Sequence, residues 1–268
     1  MEIKRNRYLN TLISKKHNGL IKVITGMRRC GKSYLLFTLF KEHLLSDGID
    51  EDHIIEIAFD AFENKKYRDP DVLYPYLKEQ IKDDAMYYVL LDEVQLLGEF
   101  ESILNSLIRM KNVDVYVTGS NARFLSKDVI TEFRGRGDEV HMYPLSFAEF
   151  MSVYPGTKQD GWNEYMLYGG IPLVLEFTTP DQKIAFLKSL FEETYISDMG
   201  LRNARLNFRQ IEETHSMENI IFNELKMRGF NVDVGVIMQY ETNEKGTNIR
   251  KQLEIDFVCN QGSKRYYI

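Results

Sequence analysis

Eight residues near the start have the types and spacing to hold a chain of phosphates. Gly26-Met27-Arg28-Arg29-Cys30-Gly31-Lys32-Ser33 fits the pattern G-x-x-x-x-G-K-[ST] at every constrained position. Glycines let backbone N–H groups curl round a polyanion without Cβ clashes, and a helix starting at the loop's end adds its positive dipole. Lys32 has the reach to meet β- and γ-phosphates, and the Ser33 hydroxyl can ligate Mg²⁺. The contact residues expected of such a loop run from Gly26 through Tyr34. The competing reading, a structural glycine turn with an incidental lysine, is disfavoured by context: a strand-like LIKVIT precedes the loop and a helix-like SYLLFTLFKEHLL follows it. Cys30 stands at a variable position, where a small filler accounts for it better than redox chemistry does. Arg28 and Arg29 suit phosphate, a neighbouring subunit or solvent.

A second group lies at the end of an apolar run, Tyr87-Tyr88-Val89-Leu90-Leu91-Asp92-Glu93. A strand ending in Asp beside a phosphate loop supplies a carboxylate for Mg²⁺. Glu93, one residue further, is placed to orient and partly deprotonate an attacking water. Gln95 is a weaker candidate for a nucleotide contact. The run VDVYVT ends in Thr118-Gly119-Ser120-Asn121, and a polar side chain there can bond a γ-phosphate or the water. Such turns are Ser/Asn/Gly-rich for local reasons too, so the residues alone leave both readings open. The same holds for Arg134 and Arg136 in FRGRG: they suit the charge that develops in phosphoryl transfer, or a basic turn paired with Asp138 and Glu139.

The elements that must position these groups follow an α/β rhythm. Strands are expected over Leu20–Thr25, His53–Phe59, Tyr87–Leu91 and Val113–Thr118, with a weaker fifth over Glu139–Met142. Their near-continuous apolar content suits a parallel sheet covered on both faces. Helices are expected over Ser33–Leu45 and Glu99–Arg109, the latter with Phe100, Ile103, Leu104, Leu107 and Ile108 on one stripe. After Pro144 the rhythm stops, and residues 146–152 and 161–200 read as mainly helical. It returns with a helix over Ser216–Arg228 and a hairpin of Asn231–Tyr240 and Lys251–Cys259, joined by a turn over 241–249. The expected division is a core over 1–150 with a basic N-terminal helix, a helical segment over 151–200, and a small α+β part over 201–268.

Composition narrows the classes. With 268 residues, 44% apolar and 28% charged, the chain is long enough for a sizeable core and unlike fibrous or low-complexity sequences. Two cysteines cannot build a disulfide framework, and no apolar run reaches the ~18 residues of a membrane span. A cytoplasmic location is the expectation. Net charge is −6, yet residues 1–33 carry nine bases and one acid, so the remainder carries −14. Lys22, Arg28, Arg29 and Lys32 lie in or beside the glycine loop and point to phosphate first. The other five suit either a nucleic-acid arm or a solvated helix over Lys4–Lys16.

The ordered series VITGMRRCGKS, YYVLLDEVQ, VYVTGSNARFLS, FRGRGDEVHMYPLSFAEF and YGGIPLV resembles bacterial and archaeal AAA-like ATP-binding proteins of the P-loop class, which carry a C-terminal restriction-endonuclease-like domain. The resemblance covers nearly the whole chain. It implies a sheet with an extra strand between the loop strand and the Asp-Glu strand, and Glu93 as the catalytic acid. It implies Ser120 and Asn121 at the sensor position and Arg136 as γ-phosphate sensor or finger. The ending SMENIIFNELKMRGF…KQLEIDFVCNQGSKRYYI is similar to the nuclease-like part, with Glu218 and Asp256 matching its acids. The lysine that such a nuclease needs would lie past Ile268, so DNA cleavage is not expected. Two departures are expected from the resemblance: an internal shortening near Thr194–Asn203 and an early stop. Glu212, Glu213 and His215 read as a solvated helix start. The resulting expectation is an ATP-binding, Mg²⁺-dependent ATPase whose nucleotide state controls the C-terminal segment. Its alternatives are a nucleotide-binding interaction module with negligible turnover, or a DNA-binding or DNA-processing protein. The expected partners are ATP, further copies of the chain, and a DNA or protein partner of unspecified identity, with no membrane.

Overall fold

The computed structural model describes residues 2–119, 135–192, 213–242, 248–261 and 264–268. Packing divides the chain into two units, Met1–Pro155 with Ile171–Glu176, and Gly156–Gly170 with Phe177–Ile268. The cuts expected at 150 and 200 follow the rhythm of the sequence, whereas this division follows contacts and returns residues 171–176 to the first unit.

The first unit begins with α1 (Asn6–Ser14) and β1 (Ile21–Gly26). The loop after β1 leads into α2, a continuous helical run over 32–46 whose middle, Leu35–Phe40, is wound as π-helix. Then come β2 (Ile54–Ala58), α3 (Pro70–Gln80), β3 (Tyr87–Asp92), α4 (Phe100–Leu107), β4 (Val113–Thr118), β5 (Gly137–Met142) and α5 (Phe147–Met151). All five strands are parallel, in the order β2-β3-β4-β1-β5. The chain therefore has an α/β fold of the P-loop NTPase type, with β4 inserted between the loop strand and the Asp-Glu strand.

One sheet face carries the main core. Ile21, Val23, Ile57, Val89, Leu91, Val115 and Val117 pack with Leu73 and Leu77 of α3 and with Phe100, Ile103, Leu104 and Leu107 of α4. The α4 residues form the stripe that the 3.6-residue period predicts. Helix α3 was not expected, because Pro70 and Pro75 punctuate its sequence. Pro70 sits at the first turn, where its missing N–H costs nothing, and the Asp69 side chain caps the Asp71 N–H.

The opposite face holds a polar knot. Lys22, wholly buried, pairs with Asp114, which also accepts from the Tyr116 hydroxyl at 2.8 Å and from the His17 backbone N–H at 3.0 Å. This corrects the assignment of Lys22 to phosphate: alternation turns its side chain into the sheet's interior. Burial pushes its ammonium down, and Asp114 opposes that. Arg5, Lys15 and Lys16 likewise pair with Glu149, Asp138 and Asp47. Four of the nine N-terminal cations, Lys22 included, are thus matched by acids within the unit.

In the second unit, α6 (Lys158–Tyr168) and α7 (Pro180–Glu192) are linked by the ion pair of Lys183 with Glu164. Helix α8 (Glu213–Met227) precedes an antiparallel sheet in the order β6-β7-β8, made of Asn231–Thr242, Asn248–Gln261 and Lys264–Tyr267. Its strands extend the expected hairpin at both ends and add a third strand. Val232, Phe257 and Cys259 form its core with Ile221, Leu225 and Phe230.

Candidate nucleotide-binding site

The loop between β1 and α2 is shaped by three backbone positions outside the usual range. Gly26 has φ 141, Arg29 φ 65 and Gly31 φ 99. A Cβ on Gly26 would lie 2.2 Å from the Met142 carbonyl oxygen, so the end of β5 approaches too closely for any side chain. Backbone turned this way gathers N–H groups on a concave side, an anion-binding arrangement. Lys32 is buried and donates to the carbonyls of Gly26 at 3.1 Å and Met27 at 2.9 Å, so its ammonium sits at the loop's base. Cys30 is fully buried, its thiol 3.6 Å from the Met142 carbonyl, and burial pushes that thiol up. A protonated, enclosed sulfur is a filler and a poor nucleophile.

Parallel register carries the end of β3 to the same edge. The Ser33 hydroxyl donates to Asp92 Oδ2 at 2.7 Å. Thr118, at the end of β4 and wholly buried, donates to Asp92 Oδ1 and accepts from the Glu93 N–H at 3.0 Å. Burial is the main reason the Asp92 carboxyl lies above its ordinary value. Hydrogen bonds from Thr118 and Ser33 lower it, while Glu93 and Asp60 raise it further. Glu93 has φ 53, a left-handed conformation that a non-glycine residue holds only at a cost. Gln95 donates to the Glu93 carboxylate rather than standing alone.

Hard oxygen donors from Ser33 and Asp92 at hydrogen-bonding distance suit Mg²⁺, which takes few protein ligands beside phosphate oxygens. A buried carboxylate whose proton is held tightly also gains from a cation that relieves its desolvation.

Beside the loop lies a cavity of about 230 Å³. Ile3, Tyr34, Leu145, Pro172 and Leu173 give it apolar walls, with Arg5, Arg29 and Glu176 as charged groups on its lining. Of the lining residues, Arg29, Cys30, Gly31 and Tyr34 stand among the candidates read from the sequence. Ile3, Leu145 and Pro172 come from segments far apart in the chain, and no local signal marks them. Thr118 was within reach of sequence reasoning, as the polar last residue of an apolar strand.

Arg136 requires a correction as a group acting on its own loop. Gly137 pairs with Ile21, the first residue of β1, and the Arg136 carbonyl accepts from the Ile21 N–H at 2.8 Å. Arg136 therefore lies at the opposite end of a six-residue strand from Gly26, roughly 17 Å away at ~3.3 Å per residue. Its exposed side chain bonds Asn105 at 3.0 Å. Ser120, Asn121, Arg134 and Glu212 lie outside the described residues. In the second unit, Glu218 and Asp256 are both exposed. Among the described residues no group of three or more His, Cys, Asp or Glu is arranged to hold a metal.

A five-stranded parallel sheet with a glycine loop following β1, the strand between β4 and β5, and a Ser–Asp pair at the same edge defines a P-loop nucleotide-binding protein. Residues 18–151 match the family described as AAA domain, and the chain belongs to that family. It is 32% identical over 225 residues to a protein of Haemophilus influenzae named "Uncharacterized protein", covering 82% of this chain and 54% of that protein. To "Uncharacterized protein MJ1544" of Methanocaldococcus jannaschii it is 26% identical over 219 residues, covering 76% and 46%. The chain thus spans about half the length of the curated relatives it matches. Among solved structures, the Aeropyrum pernix ORC1 protein in complex with DNA is 13% identical with a TM-score of 0.42, covering 84% of this chain and 67% of that one. C. elegans PCH-2 is 14% identical with a TM-score of 0.41, covering 82% and 68%. Similarity at that level says nothing of what this chain binds. No helix among the described residues is long and apolar enough to cross a membrane.

Proposed function

We propose that this chain binds ATP with Mg²⁺ and hydrolyses it, and that nucleotide state acts on the C-terminal segment. The observation that carries the reading is the meeting of Ser33 and Asp92 at 2.7 Å beside a loop whose backbone curls round its own lysine. In the proposed complex the amides of residues 26–33 surround the phosphates, and Lys32 leaves its two carbonyl partners for phosphate oxygens. Bound Mg²⁺ would offset charge on the β- and γ-phosphates. Ser33 and Asp92 would hold it, and Glu93 would orient the water. Thr118 fixes both acids, because one hydroxyl bonds the carboxylate of the first and the backbone of the second. Ile3, Tyr34, Leu145 and Leu173 would enclose the base. Arg136 is proposed to act only on a neighbouring copy's nucleotide, since the β1–β5 register keeps it from its own loop.

The DNA-processing reading is not favoured: Arg5, Lys15, Lys16 and Lys22 are matched by acids within their unit. Phosphate release by the purified chain, measured over a range of protein concentration, tests the proposal. Wild type should turn over, with specific activity rising with concentration if Arg136 completes a neighbour's site. Glu93→Gln should bind ATP and hydrolyse it at least ~100-fold more slowly, in line with loss of a general base. Equal turnover in the two proteins removes Glu93 from that role. Binding without turnover in wild type favours the interaction module instead.

A further inference from the structure

Arg5 is a charged side chain only 2% exposed, and it touches the phosphate loop and lines the cavity beside it. Its Nη1 donates to the Cys30 carbonyl at 3.1 Å and its Nη2 to the Tyr143 carbonyl at 2.7 Å. Its Nε lies 2.9 Å from Glu149 Oε1, and its guanidinium carbon is 4.7 Å from the centre of the Tyr8 ring. Glu149 is itself fixed, since its other oxygen accepts from the Ser146 N–H at 2.9 Å in a capping box on α5. Tyr8 reaches the same place, its hydroxyl accepting from the Tyr143 N–H at 3.1 Å. The N-terminal strap, the phosphate loop, the end of β5 and α5 thus meet at one guanidinium.

The Cys30 contact has a directional consequence. In a trans peptide the carbonyl of one residue and the N–H of the next point in opposite directions. A guanidinium that holds the Cys30 oxygen therefore turns the Gly31 N–H away from Arg5. Gly31, at φ 99, has unusual freedom to rotate that peptide. A flip would put a carbonyl oxygen where an anion must sit. Only a planar fork can serve the Cys30 and Tyr143 carbonyls together, and Glu149 neutralises the charge this brings into the interior.

We infer that Arg5 is a positioning residue for phosphate: through the Cys30 carbonyl it locks the Cys30–Gly31 peptide with its N–H facing the ligand. The inference rests on the nucleotide-binding reading above, and the experiment separates the two. Titration calorimetry on the full chain measures inorganic pyrophosphate with Mg²⁺ and, separately, adenosine, for wild type, Arg5→Lys and Tyr8→Phe. Lysine keeps the charge opposite Glu149 but loses the fork. Arg5→Lys should bind pyrophosphate about 10- to 100-fold more weakly, the loss of one oriented hydrogen bond to a charged group. Because Arg5 also lines the cavity beside the loop, adenosine is titrated in parallel, and the loss for pyrophosphate should exceed any loss for adenosine at least ~10-fold; Tyr8→Phe should match wild type for both ligands. A merely structural role would lower the melting temperature with no selective loss of pyrophosphate, and that result overturns the inference. So does Arg5→Lys binding pyrophosphate as wild type does. A wild-type chain that ignores pyrophosphate refutes the nucleotide reading and takes the Arg5 role with it. Should Arg5→Lys not fold, exchange at the Gly31 amide of wild type decides: slowing by pyrophosphate supports the inference, and no change overturns it.

Discussion

Asp92 should be a residue that the folded protein would be more stable without. Its side chain is 4% exposed, and its carboxyl is held above the ordinary value of 3.8, chiefly by burial. Because the folded value is the higher one, the folded chain holds this proton more tightly than the unfolded chain does. Asp92 therefore detracts nothing from stability below pH 3.8, and its cost grows as pH rises through the folded value. At neutral pH the penalty is therefore larger than at pH 4. Each unit of elevation corresponds to about 1.4 kcal/mol, or roughly 3–6 °C of Tm for a chain of this size class. Asp92→Asn keeps the shape and an acceptor for Thr118 while removing the charge. Without ligand, it should melt above wild type at pH 7, by the increment per unit of elevation just given. That gain should shrink toward zero as pH falls to about 4. The same variant should lose Mg²⁺-dependent nucleotide binding. Calorimetric melting of both proteins across pH, with and without Mg²⁺ and ATP, measures all three effects. A lower Tm for Asp92→Asn at pH 7, or a gain equal at pH 4 and pH 7, would refute the argument that a buried, under-compensated carboxylate waits for a cation.

Two further outcomes follow from the same geometry. Thr118→Val removes a hydrogen bond to Asp92 and leaves the Glu93 N–H without its acceptor, so it should cost about 3 kcal/mol, while Thr118→Ser should recover most of that; denaturant unfolding distinguishes them. Lys22→Ala leaves Asp114 charged and buried and should cost about 3–5 kcal/mol, whereas Lys22→Met with Asp114→Asn, which removes both charges and keeps an acceptor for Tyr116 and the His17 N–H, should recover most of that. If the single and double variants unfold alike, the pair is not the uncompensated-charge system described.

What could be read from the sequence was local. The loop from Gly26 to Ser33 is contiguous, and each of its residue types carries a meaning of its own. The strands ending at Asp92 and Thr118 announced themselves by unbroken apolar runs. Helix α4 followed its period, while α3 was hidden because Pro70 and Pro75 mimic a loop, although one stands at a first turn. The remainder depends on pairings across the chain. Arg5 meets Tyr143 at a separation of 138 residues, and nothing near Arg5 distinguishes it from the other bases of a basic helix. Arg136 has the right chemistry for a γ-phosphate, yet the pairing of Gly137 with Ile21 decides which end of the sheet it occupies. Lys22 lies four residues before the glycine loop, but alternation along β1 turns it toward Asp114.

Calorimetric titration of Mg²⁺-ATP into wild type and Lys32→Ala bears most directly on the nucleotide assignment. Wild type should bind at one site per chain, and Lys32→Ala should lose at least ~100-fold in affinity, as expected when a charged partner of phosphate is removed. ATP binding of equal strength in the two proteins would contradict the account, whatever their stabilities.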